Sequence, residues 1–149
     1  MHDQTPQLTE DFLRRYDVPG PRYTSYPPAP HFRKDFDPGA VQGLLEGSNA
    51  RGRRELSFYV HVPFCPRQCT YCGCTTEIGK PGSAVLEYFE ALSREMDLVL
   101  PLLDPSRPVT QIHFGGGTPN AVPFHHLAHI VDRIRGRFPV PDFAEIAIE

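Results

Sequence analysis

Between Leu56 and Val62 the chain alternates strictly, with Leu56, Phe58, Val60 and Val62 on one side and Ser57, Tyr59 and His61 on the other. A period of two with chemically different faces predicts a β-strand, which Pro63 ends. Farther on, Val85, Phe89, Leu92, Met96, Val99 and Leu103 recur at steps of four and three, the single apolar stripe of an amphipathic helix. Ser83 is placed to cap that helix and Pro101 to kink or end it near Leu100. Val109 to Phe114 is β-branched and aromatic in part and runs into Gly115-Gly116-Gly117, which predicts a second strand delivering a glycine turn. A second helix after Pro123 carries Phe124, Leu127, Val131 and Ile134 on one face, and residues 143 to 149 form a third strand.

The order βαβαβ predicts an α/β fold with parallel strands and right-handed crossovers. Upstream, residues 1 to 50 divide off as an extension with one short helix, where Asp37 caps, Pro38 takes the first position, and Val41, Leu44 and Leu45 share a face. A terminal parallel strand without a following helix leaves a face and an edge uncovered. We therefore expect the 149 residues to be the opening part of a longer protein, or a fold completed by a partner.

Composition changes this picture in two places. Proline is abundant, 17 of 149 residues with seven before residue 39, about twice the ~5% average, so the extension is expected to be irregular. Net charge is 15 − 18 = −3, which provides no global basic field to gather nucleic acid. No apolar run approaches the roughly 20 residues of a membrane span, and the start lacks a signal-peptide pattern, so a cytoplasmic protein is expected.

All four cysteines, Cys65, Cys69, Cys72 and Cys74, fall within ten residues. A disulfide framework spreads its cysteines, so this cluster reads as metal chemistry in a reducing compartment. Cys65-x3-Cys69-x2-Cys72 offers three thiolates on one short loop, the cradle of a [4Fe-4S] cluster with one iron left open. Zinc, with four closed ligands usually in two separated pairs, and a ferredoxin-type cluster with a fourth, more distant cysteine are the rivals. Cys74 follows Cys72 by two and would need a sharp reversal to reach the same cube, so it is expected near the cluster but unbound. A small packed thiol is its plain alternative. The glycine turn Gly115-Gly116-Gly117-Thr118-Pro119 permits close approach of backbone to a ligand, or simply ends a strand. Neither a dinucleotide-binding fingerprint nor a P-loop is present.

The three-cysteine spacing, with aromatic Tyr71 before the third cysteine, resembles the signature of the radical S-adenosylmethionine enzymes. Three further stretches narrow the likeness: Pro21-Arg22-Tyr23-Thr24-Ser25-Tyr26-Pro27, Tyr59-Val60-His61-Val62-Pro63-Phe64-Cys65 and Cys72-Gly73-Cys74. Together with Glu145-Ile146-Ala147-Ile148-Glu149 they resemble the oxygen-independent coproporphyrinogen III oxidases. That resemblance implies that 51–149 are the first three strands of a partial (β/α) barrel, incomplete at its C-terminus, so that this chain alone has little or no activity. It implies conversion of two propionates of coproporphyrinogen III to vinyl groups, giving protoporphyrinogen IX and carbon dioxide, with an electron donor required.

It also implies a [4Fe-4S] cluster on Cys65, Cys69 and Cys72 and two molecules of S-adenosylmethionine. On the same resemblance, the methionine part of that cofactor would occupy the open iron, and reductive cleavage would give a 5′-deoxyadenosyl radical. Tyr59, Tyr71, Gly116, Gly117, Thr118 and Glu149 match cofactor-binding positions, and Cys74 is a candidate catalytic residue. His61 and His113 read as packed, hydrogen-bonded strand histidines, and His125, His126 and His129 as a solvated helix face. Arg22, Arg51, Arg53 and Arg54 are candidates for meeting substrate propionates. A monomer without nucleic-acid partners is expected. The sister haem chaperones and a non-catalytic iron–sulfur or zinc module are the alternatives.

Overall fold

The computed structural model describes residues 9–17, 31–33, 37–50 and 55–149. The chain divides into two compact units, Met1–Phe36 and Asp37–Glu149. In the first, a short helix α1 (Glu10–Tyr16) is capped by the Thr9 hydroxyl, which accepts from the Phe12 N–H. Sequence patterning did not predict α1, and it buries none of its residues. The Arg22 segment and Arg51, Arg53 and Arg54 lie outside the described residues.

The second unit begins with α2 (Pro38–Ser48), capped by Asp37 and started by Pro38 as expected. Its C-terminal end is tied down by the buried Arg107, whose guanidinium donates to Ser48 Oγ at 2.9 Å and Asn49 Oδ1 at 3.2 Å. Asn49 in turn donates to the Leu102 carbonyl.

Strands β1 (Leu56–Val62), β4 (Val109–Gly116) and β5 (Glu145–Ile148) form one sheet in the order β1-β4-β5, all parallel. Between β1 and β4 lie a two-residue pair, β2 (Phe64–Cys65) with β3 (Glu77–Ile78), and helix α3 (Gly82–Val99). Helix α4 (Phe124–Arg137) connects β4 to β5. The parallel βαβαβ arrangement expected from the sequence is present. Val62, Val109, Ile112, Phe114, Ile130 and Ile134 are almost wholly buried. Each such side chain contributes about 1.5–3 kcal/mol by leaving water.

The structure shifts several expected details. Helix α3 starts two residues earlier than a Ser83 cap allows, because the Pro81 carbonyl accepts from Ala84 and Val85 and puts Ser83 inside the first turn. Its end is as expected: Pro101 tightens the chain into a 3-10 turn over Leu100–Leu102. The buried line of α4 is Leu127, Ile130 and Ile134; Phe124, in its first turn, is 71% exposed. In β5, Phe143 is outside the strand and exposed, and pairing begins at Glu145. Register slips by one between Leu56 and Ser57, which pair with Val109 and Gln111. The slip lets Val109 bury on the same side as Ile112 and Phe114 despite the odd spacing. No helix among the described residues is long and apolar enough to cross a membrane.

Candidate functional site

Alternation sends one face of the sheet into the helices and leaves the other polar. On the polar face, parallel register stacks side chains in rows. Ser57, Gln111 and Glu145 form the first row, where Ser57 Oγ donates to Gln111 Oε1 at 2.8 Å and Gln111 Nε2 to Glu145 Oε2 at 3.3 Å. Tyr59 and His113 form the second, their rings stacked at 5.7 Å and 13°. His61 and Gly115 form the third, at the C-terminal ends of the strands. Glu149 follows β5 and is joined to its neighbour where its N–H donates to the Phe114 carbonyl.

The three glycines make room here for the protein's own groups. A Cβ on Gly115 would stand 2.7 Å from Glu149 Oε2 and 2.9 Å from the Tyr59 hydroxyl, so both side chains lean over it. Gly116 has φ of +114°, a conformation that disfavours side chains, and a Cβ there would meet the His61 ring at 2.5 Å. At Gly117 the obstacle is backbone, Pro63 and the Phe64 carbonyl. Hydrogen bonds then carry the pairing beyond β4, from Gly117 N–H to Val62 and from Thr118 N–H to Phe64, at 2.8 and 2.9 Å. The Thr118 hydroxyl lies 3.4 Å from Cys65 Sγ as a donor.

The cysteine loop is clamped at its base. Cys65 lies in β2 against Ile78, Gly79 N–H donates to the Cys65 carbonyl, and His61 Nε2 is 3.0 Å from the Thr75 carbonyl. Tyr88 donates to the carbonyl of His61. A turn within the loop joins Cys72 N–H to the Cys69 carbonyl. All four thiols are free, with Cys69 and Cys74 exposed and Cys65 and Cys72 half-buried. Cys74 contacts Cys72, whose charge and hydrogen bond raise the Cys74 thiol above its ordinary pKa, with smaller contributions from burial, Glu149 and Cys65.

Sequence reasoning thus placed Tyr59, Gly116, Gly117, Thr118, Glu149 and Cys65 in one neighbourhood, and the structure brings them together. Tyr71, on the same loop, is 87% exposed. Among the described residues no three Cys, His, Asp or Glu side chains are drawn into a metal-holding group, so Cys65, Cys69 and Cys72 do not converge in this structure. Their chemistry nonetheless fits an iron–sulfur cluster: three soft thiol donors on one accessible loop, with a hydroxyl donor beside one sulfur.

His61 and His113 belong to this polar face, with His113 Nε2 3.8 Å from Glu149 Oε2. The alternation that singled out Tyr59 also carried them, but the single-residue reading missed their joint position. On α4, the solvated reading fails for His126, which stacks on Phe89 at 4.5 Å. Burial, then the positive charge of His125 and His129, lowers its pKa.

No model of a protein family matches the chain. It is 41% identical over 145 residues to the oxygen-independent coproporphyrinogen III oxidase of Synechocystis, a match that covers 97% of this chain and 31% of that protein. A protein of the same name from Mannheimia haemolytica is 38% identical, with 92% of this chain and 91% of that one covered. The structure of coproporphyrinogen III oxidase from Escherichia coli, described as a radical SAM enzyme, superimposes with a TM-score of 0.74 at 35% identity over 91% of this chain and 29% of that one. The chain therefore spans about a third of the length of most of these relatives. Matched over nearly the whole of the Mannheimia protein, it belongs to the oxygen-independent coproporphyrinogen III oxidase family.

Proposed function

We propose that this chain supplies the cluster- and cofactor-binding part of an enzyme that converts coproporphyrinogen III to protoporphyrinogen IX by oxidative decarboxylation. The observation that supports it best is the convergence, at the C-terminal ends of three parallel strands, of Tyr59, His61, Gly115 to Thr118 and Glu149 beside Cys65. Strand C-termini are where α/β barrels gather their chemistry.

Cys65, Cys69 and Cys72 hold the cluster, and Gly116, Gly117, Thr118, Tyr59, Tyr71 and Glu149 receive S-adenosylmethionine, of which two molecules bind. When bound, cluster and cofactor together supply one-electron chemistry that abstracts hydrogen from carbon. Such chemistry is required because the β-hydrogen of a propionate is not acidic enough for a side-chain base. The chain's own residues hold and orient. The Thr118 hydroxyl donates toward the Cys65 sulfur, and the Glu149 carboxylate offers a negative partner for the cofactor's amino group. Tyr59 walls the same spot with its ring. Cys74, beside Cys72, is assigned a role in turnover without ligating iron.

The test is anaerobic reconstitution followed by iron, sulfide and zinc analysis and by spectra with and without S-adenosylmethionine. Four irons and four sulfides per chain, with a cofactor-dependent spectral change, are expected. Stoichiometric zinc without sulfide would replace this reading with a zinc module. Coproporphyrinogen III turnover should be low for these 149 residues and restored when they are joined to the remaining length found in the relatives; equal turnover would contradict that division of labour.

A further inference from the structure

We propose that His113 is a positioning residue for cofactor binding: it fixes the Glu149 carboxylate and the Tyr59 ring beneath the spot where the two converge. The inference rests on the reading that Glu149 binds S-adenosylmethionine, and adds a residue to which sequence patterning gave only a packing role.

Four observations carry it. His113 lies two residues before Gly115 on β4, on the same face and one row below the place where Glu149 Oε2 and the Tyr59 hydroxyl lean together. Its ring lies nearly parallel to that of Tyr59, at 5.7 Å, and its Nε2 stands 3.8 Å from Glu149 Oε2. With its side chain 34% exposed against 71% for Glu149, His113 is the more enclosed partner and so the better-fixed of the two. Its register partner on β5 is Ala147, whose small side chain leaves the row open for the Glu149 carboxylate to fold back toward the imidazole.

Physically, this arrangement restrains a side chain that otherwise has little to hold it. Glutamate has three rotatable bonds, and an exposed one must be ordered when it receives a cationic ligand. An imidazole N–H beside the carboxylate narrows that freedom beforehand, while the same ring, stacked on Tyr59, keeps the phenol from swinging across the space. His113 need not touch the ligand, because it acts through the two groups that do.

The experiment is a double-mutant cycle on the 149-residue chain with its cluster reconstituted, read as the dissociation constant for S-adenosylmethionine. His113→Phe keeps an aromatic ring against Tyr59 and removes the nitrogen facing Glu149. It should weaken binding about twofold to fivefold, the range of a partly exposed polar contact. In the Glu149→Gln background the same change should have no further effect, because a positioning residue has nothing left to position. His113→Gln, whose amide can donate to Glu149, should recover at least part of the lost affinity. If His113→Phe fails to fold by circular dichroism, His113→Leu, which also removes the nitrogen facing Glu149, carries the comparison in both backgrounds. Weakening by Glu149→Gln together with a silent His113→Phe, or an equal loss from His113→Phe in both backgrounds, overturns the role of His113 alone. Unchanged binding in Glu149→Gln, or no binding by the parent chain, overturns the cofactor reading and this inference with it.

Discussion

Replacing Gly117 with alanine sets one methyl group against an immovable wall. The new Cβ would lie 2.7 Å from both the carbonyl carbon and the oxygen of Pro63 and 2.9 Å from the Phe64 oxygen. Carbon atoms pack at about 3.5–4.0 Å, so the shortfall is about 0.8 Å. Every obstructing atom is backbone and cannot rotate away. Relief requires the end of β4 to part from the segment after β1, which stretches the bonds from Gly117 to Val62 and from Thr118 to Phe64. At roughly 0.5–1.5 kcal/mol each, the two bonds set the expected cost at about 1–3 kcal/mol. That matches the typical cost of overpacking, and both figures describe the same displacement. Gly43→Ala is the control: its Cβ would meet nothing within 4 Å on α2, so about 0.5–1 kcal/mol of stabilisation is expected. Urea unfolding of both variants gives the two signs, and hydrogen exchange at the Gly117 and Thr118 amides shows where the strain goes. If Gly117→Ala is as stable as the parent with both amides equally protected, the packing account of this turn is wrong.

Three further outcomes are expected. Cys65→Ser, Cys69→Ser and Cys72→Ser should each abolish a stable cluster, whereas Cys74→Ser should retain iron, sulfide and cluster absorbance; equal loss in all four refutes the three-ligand assignment. Because His126 has its pKa lowered in the folded chain, the unfolded chain takes up the proton first as pH falls below about 6.5. Stability due to neutral His126 is therefore full above that value and declines toward the lowered one; His126→Phe should flatten the decline of urea midpoints between about pH 7 and about pH 5.5. Arg107→Met should cost about 1–3 kcal/mol in urea unfolding through its lost bonds to Ser48 and Asn49, and a change under about 0.5 kcal/mol would show that the tie on α2 is slack.

The parallel strands were legible because alternation and helical stripes are properties of near neighbours, as Leu56 to Val62 and Val85 to Met96 illustrate. Legibility failed where a distant group decided the outcome. Ser83 is a good cap residue, yet the Pro81 carbonyl had already begun the helix. Val109 breaks strict alternation with Ile112, and only the slipped pairing against Leu56 explains why both are buried. At the site, the cysteine spacing and the glycine run stood out as residue types. The reason for three successive glycines did not, because it depends on Tyr59, Glu149, His61 and Pro63 arriving from elsewhere. His113 was visible as a strand residue, but its place between two site residues exists only once β1, β4 and β5 lie side by side.

The clamp at the foot of the cysteine loop bears on how a metal centre would be assembled. Pairing of Phe64–Cys65 with Glu77–Ile78 closes residues 66–76 into a loop before any ligand arrives, so folding of the protein covers the entropy of closing it. Cys65 is fixed in the closure itself, and Cys69, four residues on, can stray no more than about 14 Å from it at full extension. Once one thiol has captured iron, capture by the others is intramolecular, at an effective concentration set by these tethers rather than by the amount of protein. Completion of a cluster on this loop should therefore proceed at a rate independent of protein concentration, and slow down if the β2–β3 pairing is broken.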